Sequence, residues 1–167
     1  VEEVRGRLFG SSPPAPSPDD PPPSPRSGNR RPAEVILAWE EGLRSRYGAS
    51  GVDQVAEALQ QHAQAVERHG ITCRVVYLDR PPYPETPRPD PHDPLQIKAF
   101  LDDLDRRLGE EGLDFHYLFL IGGDELLPFA RLPNPTDDAD PSVPSDNLYA
   151  SRDPTYLIPE RATGRLP

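Results

Sequence analysis

Basic residues and cysteine are scarce in this sequence, and methionine is absent. Lysine and arginine number 18 against 28 aspartate and glutamate, so the formal net charge is −10. Outside residues 1–32 no basic cluster could neutralise a run of phosphates, so we expect no nucleic-acid partner. No apolar run approaches the roughly 18 residues that a membrane-spanning helix requires, and the N-terminus lacks the pattern of a signal peptide. We therefore expect no membrane partner.

The single cysteine, Cys73, cannot form an internal disulfide or supply a paired-cysteine zinc site. This favours a reducing compartment and predicts a cytoplasmic protein; the alternative is a secreted protein whose signal lies outside this chain. Because no methionine is present, even at position 1, we expect the chain to be a piece of something longer.

Proline is abundant, with 24 residues in a chain whose mean hydropathy is −0.68. Residues 1–32 contain nine prolines among serines and charges of both signs, without apolar periodicity, which predicts a disordered linker. A proline tract can also dock in an aromatic groove, but spacers are far more common. Residues 79–94 form a second proline-rich stretch, predicted to be an extended loop.

Three short apolar runs, at 35–39, 71–78 and 115–121, have the composition of strands buried in a parallel sheet. Between them, two segments place apolar residues at the spacing of an amphipathic helix. The first is predicted to begin at Asp53 and to end before Gly70. The second begins at Asp93-Pro94, a capping residue followed by proline, and its apolar face comprises Ile97, Phe100, Leu101, Leu104 and Leu108.

The order strand, helix, strand, helix, strand predicts an α/β fold, a parallel sheet with helices on both faces in three αβα layers. In such sheets ligands bind at the carboxyl ends of the strands. Three strands and two helices make a small core, so we expect the sheet to be incomplete in this chain.

The first candidate site, Gly122-Gly123-Asp124, directly follows the third predicted strand. Two glycines let backbone approach a ligand, and the carboxylate could hold a metal ion or a hydroxyl. A nucleotide-binding loop would need three spaced glycines or a lysine, and neither is present. The simpler interpretation is a tight turn in which Asp124 bonds nearby backbone.

An acidic loop is the second candidate, and it could bind calcium if it folded around the ion. Its spacing does not match an EF-hand, so a solvated loop is the preferred interpretation and no cofactor is predicted. The carboxylates concerned are Asp137, Asp138, Asp140, Asp146 and Asp153.

Covalent catalysis has no obvious residues. Cys73 alternates with Val75 inside the second predicted strand and is interpreted as a small buried side chain. None of the histidines is predicted to lie beside a nucleophile; they are His62, His69, His92 and His116.

The tail holds the third candidate. Gly-Gly-Asp and then Leu-Pro after the third strand, the Pro-Ser-Asp-Asn-x-Tyr segment containing Ser145, Asp146 and Tyr149, and the closing Gly-Arg-Leu-Pro occur in that order. Over residues 33–167 this pattern resembles the N-terminal subdomain of gingipain-type cysteine peptidases, relatives of the caspase fold in clan CD, and CHAT domains are similar.

The resemblance implies a caspase-like αβα fold. In such peptidases the catalytic histidine and cysteine lie downstream of Gly-Arg-Leu-Pro, so the implied partner is a catalytic segment or chain, and the substrate is a protein or peptide. Gly122, Gly123 and Asp124, with Ser145, Asp146 and Tyr149, are then scaffold residues beside the substrate cleft and not catalytic ones. The alternative is an inactive caspase-like scaffold or protein-binding module.

Overall fold

The computed structural model describes residues 30–134, 136, 139–153, 156 and 158–167, which form six strands and three helices. The strands are β1 (Arg31–Ala38), β2 (Thr72–Tyr77), β3 (Leu113–Ile121), β4 (Ala130–Pro133), β5 (Ser142–Ser145) and β6 (Ala162–Leu166). The helices are α1 (Glu40–Glu67), α2 (Pro94–Glu110) and α3 (Asn147–Ala150). None of the described helices is long and apolar enough to cross a membrane.

Four strands form one parallel sheet in the order β2-β1-β3-β6, while β4 and β5 form a separate antiparallel pair. Side chains alternate across the sheet because successive residues of a strand point to opposite faces. Val35 and Leu37 of β1 join a core with α2, whereas Ile36 and Ala38 join a second core with α1. The predicted three-layer αβα fold with a parallel sheet is confirmed.

The first strand begins earlier than predicted. Arg31 and Pro32 already pair with Leu113 and Asp114 of β3, so the predicted linker overlaps β1 at these two residues. Of the remainder, Arg30 lies just before the strand, and residues 1–29 lie outside the described residues. Pro32 is tolerated because it stands near the start of the strand, where a missing N–H costs least.

The first helix is also longer than predicted, since α1 begins at Glu40 and not at Asp53. Gly48 interrupts it with φ 70° and ψ 179°, a conformation that only glycine adopts easily. Trp39 provides no side-chain cap; instead, the N–H groups of Glu40 and Glu41 donate to the Asp79 carboxylate at 3.3 and 2.9 Å. The cap thus comes from the chain just beyond β2.

The second helix follows the prediction closely. Asp93 accepts hydrogen bonds from the N–H groups of Leu95 and Gln96, and all five residues of the predicted apolar face are buried. Residues 79–93 precede it without helix or strand apart from an isolated bridge at Arg80. This loop is fastened to α2, since the Thr86 hydroxyl donates to Asp103 at 2.6 Å.

Candidate functional site

The carboxyl end of β3 is a tight turn that requires glycine. Gly122 has φ +119°, and a Cβ there would lie 2.6 Å from the Cβ of Leu126, so no larger residue fits without a shift of backbone or core. Its N–H donates to the Leu166 carbonyl at 2.7 Å, which ties the turn to the end of β6. The two glycines therefore lie where two parallel strands finish together.

Asp124 is engaged within this loop. Its carboxylate accepts a hydrogen bond from the Phe129 N–H at 2.7 Å and forms an ion pair with Arg131. This is the turn arrangement favoured from the sequence, with the carboxylate bonded to nearby backbone. The carboxylate accordingly stabilises the loop that leads from β3 to β4.

Ser145 and Tyr149 lie on either side of Asp146, at the end of β5 and in α3. The Ser145 hydroxyl accepts from the Asn147 N–H at 3.1 Å, a local turn contact. Tyr149 is fully buried, and its hydroxyl donates to the Pro128 carbonyl at 2.5 Å. Burial raises the pKa of Tyr149, so this phenol stays protonated and acts as a packing and hydrogen-bonding residue.

Arg165 of β6 joins these segments. Its guanidinium makes two bonds to the Asp146 carboxylate, at 3.0 and 2.5 Å, and donates to the carbonyls of Gly122 and Leu127 at 2.7 Å each. The guanidinium carbon also lies 4.2 Å from the centroid of the Phe129 ring. One side chain therefore connects the Gly-Gly-Asp turn, the Leu-Pro loop and the Ser-Asp-Asn segment.

Arg165 lies inside the Gly-Arg-Leu-Pro motif but was not predicted to be a site residue. The available signal was an arginine inside the Gly-Arg-Leu-Pro motif, downstream of the acidic residues Asp124 and Asp146. A planar guanidinium with five donors can serve a carboxylate and two carbonyls at once, which lysine cannot do.

A second buried network lies near α2 and α3. Arg161 is completely buried and binds Asp105 at 3.0 Å, while Arg152 binds the same carboxylate at 3.0 Å and Asp114 at 2.9 Å. Arg161 also lies over the Phe115 ring, 4.5 Å from its centroid. Burial lowers the pKa of Arg161, yet the guanidinium stays charged because Asp105 opposes that effect. The Arg161 and Asp105 side chains are 0% and 9% exposed, so this pair is structural, while Arg152 and Asp114 extend the network towards solvent.

Cys73 is buried on β2 and shares a carboxylate with a histidine. Its thiol donates to Glu34 at 3.4 Å, and His62 contacts the same Glu34 oxygen at 3.0 Å. A histidine therefore lies nearer the thiol than predicted. Burial, the hydrogen bond to Glu34 and its charge together raise the pKa of Cys73 to about 12. A thiol held in this way is a poor nucleophile.

The calcium hypothesis gains no support from the described residues. Asp137 and Asp138 lie outside them, and among the described residues no group of three His, Cys, Asp or Glu side chains could hold a metal ion. Asp146 is bound to Arg165, and the Asp153 carboxylate accepts the Tyr156 N–H at 3.0 Å. Asp140 uses its carbonyl to accept from Asn134.

The loops at the carboxyl edge of the sheet are therefore held in place by hydrogen bonds and ion pairs. The described residues at this edge include glycines, aspartates, an arginine and Trp39. The His92 ring packs against the Trp39 ring, with 5.1 Å between the two centroids. The described residues at this edge include no thiol, because the one cysteine faces α1 from within β2. Among the described residues, the thiol of Cys73 therefore lies away from this edge.

The comparison with protein families identifies this α/β domain as protease-related. The model of peptidase family C25 matches residues 45–167, and the chain belongs to that family. No curated protein matches the chain. A solved structure described as "Structure of Protease" is similar, with a TM-score of 0.47 and 19% identity over 80% of this chain. The match covers 24% of that protein, so the chain spans about a quarter of its length.

Proposed function

We propose that this chain is the N-terminal, non-catalytic α/β subdomain of a caspase-like, gingipain-type cysteine endopeptidase. The observation that carries the proposal is the Arg165 junction, which links the family-like motifs at the carboxyl ends of β3 and β6. Membership of peptidase family C25 supports the same conclusion. The catalytic histidine and cysteine would come from a downstream segment or a second chain.

The reaction would be attack of a thiolate on a peptide carbonyl, assisted by an imidazole base. In it a sulfur–carbon bond forms, the peptide C–N bond breaks, and the imidazolium protonates the leaving amine; water then releases the acyl group. The part assigned to this chain is to hold one wall of the cleft, through Gly122, Asp124 and Asp146. Its net charge of −10 favours encounter with basic peptide segments.

The second candidate is a catalytically inactive caspase-like scaffold, with CHAT-like proteins as the nearest analogy. The observation that favours it is that no described thiol lies near an imidazole at the carboxyl edge, where chemistry would occur. For either candidate we propose a cytoplasmic location and no cofactor, in keeping with the single reduced cysteine.

The test compares the 167-residue chain with the polypeptide extended through its natural downstream sequence. We expect only the longer protein to cleave a peptide library, and alkylation of its thiols to abolish cleavage. A Cys73→Ala variant of the longer protein is the matched control and should retain activity. Cleavage by the 167-residue chain, or inactivation by Cys73→Ala without loss of stability, would contradict the proposal. Absence of cleavage by both proteins would favour the scaffold.

A further inference from the structure

A groove lies between the proline-rich loop and helix α2, with a cavity of about 350 Å³ between its two walls. One wall belongs to the loop and consists of Thr86, Pro87, Arg88 and Pro89. The other wall is a single face of the helix, because its residues recur at the spacing i, i+3, i+4 and i+7. They are Gln96, Ala99, Phe100 and Asp103. We call this cavity the α2 groove.

The polar side chains that line the α2 groove are bound to neighbours, with one exception. The Thr86 hydroxyl donates to Asp103 at 2.6 Å, and the Gln96 amide donates to the Asp93 carboxylate at 3.0 Å. Arg88 is exposed, and its guanidinium makes no hydrogen bond or ion pair within the described part of the chain. The described lining of the groove therefore combines apolar side chains with an unpaired cation.

This lining favours an apolar ligand that carries a negative charge. Pro87 and Pro89 have no N–H group, so the loop wall offers carbon surface at these positions and no backbone donor. Ala99 and the ring of Phe100 continue that surface on the helix. A carboxylate beside Arg88 would form a charge-assisted hydrogen bond. Proline-rich segments suit such grooves because their backbone is already extended and loses little entropy on binding.

The chain itself contains a segment of this chemistry. Residues 13–25 include eight prolines, and these surround Asp19-Asp20, the only carboxylates between residues 4 and 33. The segment lies outside the described residues. We propose that Asp19-Asp20 and the flanking prolines dock in the α2 groove, with the carboxylates paired to Arg88. This inference is independent of the proposed peptidase function.

The groove lies within reach of the segment. Arg30 is the first described residue, and its Nη1 lies 3.3 Å from the point where a Cβ on Gly109 would stand, near the end of α2. From Gly109 to Phe100 the helix rises about 14 Å. About ten residues join Asp20 to Arg30, and they span up to about 31 Å when extended as polyproline. Ser27-Gly28-Asn29 between them are turn-forming residues, which allow the chain to reverse before β1.

Two other occupants fit the α2 groove less well. A second copy of this chain would have to compete with a segment whose tether gives it an effective concentration in the millimolar range. A free carboxylate would bind only one exposed guanidinium, and exposed ion pairs contribute little by themselves. The tethered segment adds proline contacts to the ion pair.

The experiment uses the 167-residue chain with a nitroxide spin label on Ser17→Cys, two residues from the carboxylates. Cys73→Ala provides the background, so that a single thiol reacts with the label. Docking is measured as paramagnetic broadening of the amide resonances of residues 96–103 in the labelled chain.

Charge exchange then tests the contact. We expect Arg88→Asp to reduce the broadening about twofold or more, because it removes the cation and repels both carboxylates. Adding Asp19→Arg and Asp20→Arg to that variant should restore the broadening. Arg68→Asp is the matched control, since Arg68 is an exposed arginine after α1 without a described partner, and it should leave the broadening unchanged.

Equal broadening in the parent chain and in Arg88→Asp, or no recovery after charge exchange, would overturn the proposal. Asp19→Asn with Asp20→Asn gives an independent check, because retained broadening would show that the carboxylates do not hold the segment. Broadening of an unlabelled chain mixed with a spin-labelled one would also overturn the proposal, in favour of a second copy. Cleavage of peptides is not measured, so failure of the peptidase proposal would leave this result unchanged.

Discussion

Arg165 and Asp146, 19 residues apart in the chain, form a bidentate ion pair at the carboxyl edge of the sheet. The side chain of Arg165 is 9% exposed and that of Asp146 is 22% exposed, so water screens the pair poorly. Because the same guanidinium also binds the carbonyls of Gly122 and Leu127, its loss would remove a donor from three acceptors at once.

Arg165→Lys should therefore lower the free energy of unfolding by about 2–4 kcal/mol, although the charge is kept. Arg44→Lys is the control, because Arg44 forms an exposed pair with Glu40 and should cost less than about 0.5 kcal/mol. Denaturant unfolding measures both. A double-mutant cycle with Asp146→Asn should give a coupling energy of about 1–3 kcal/mol; additive effects would show that the pair is not a unit.

The adjacent glycines Gly122 and Gly123 should respond differently to alanine. Gly122→Ala should cost at least about 2 kcal/mol, because a Cβ would meet the Cβ of Leu126 and φ is +119°. At Gly123 the nearest atom is a carboxylate oxygen of Glu125, whose flexible side chain can move aside. Gly123→Ala should cost less than about 1 kcal/mol, and similar losses at both positions in thermal unfolding would contradict this account.

Cys73 should make stability depend on pH in alkaline solution. Its pKa is raised from 9.0 in the unfolded reference to about 12, so its contribution is complete below pH 9 and is lost as the pH rises towards 12. We expect wild type to lose about 2 kcal/mol more than Cys73→Ala between pH 9 and about 11. Tyrosines titrate in both proteins, so the difference between them isolates the thiol. Parallel pH curves would contradict the prediction.

Asp103 should have the opposite dependence in acid. Desolvation raises its pKa, but hydrogen bonds from Thr86, Arg107 and Arg106 outweigh that effect and lower the pKa from 3.8 to about 2. Its contribution is complete above pH 3.8 and is lost as the pH falls through 2. Wild type should therefore lose about 1–2 kcal/mol more than Asp103→Asn over this interval. Thr86→Val should show part of this reduction, and an unchanged acid profile in both variants would contradict the prediction.

The sequence predicted those elements whose signals are local. Asp93-Pro94 capped α2 as expected, and the apolar spacing identified the buried face of that helix. The first part of α1 was missed because Gly42, Gly48 and Gly51 lower helix propensity and Trp39 gives no capping signal. Tertiary packing determines the helical conformation of that segment, and this packing cannot be predicted from the neighbouring residues in the sequence.

The segments that form the candidate site were predicted, but the contacts between their side chains were not. Strand β6 was missed because Ala162 and Gly164 are poor strand residues, yet pairing with β3 holds the backbone extended. The contact between Arg165 and Asp146 depends on that pairing and on the β4-β5 hairpin. Long-range bonds of this kind have no periodicity, which is why the residues were identified through family resemblance and their roles only through geometry.

The non-local cap of α1 affects the order in which the chain can fold. Asp79 reaches the N–H groups of Glu40 and Glu41 only after β2 has paired beside β1, with residues 38 or 39 positions apart brought together. The first turns of the helix should therefore form after this strand pairing, although they come earlier in the chain. The amides of residues 40–47 would then exchange together with those of the edge strand β2. Loosening of β2 would free this first part of α1, which Gly48 separates from the rest of the helix.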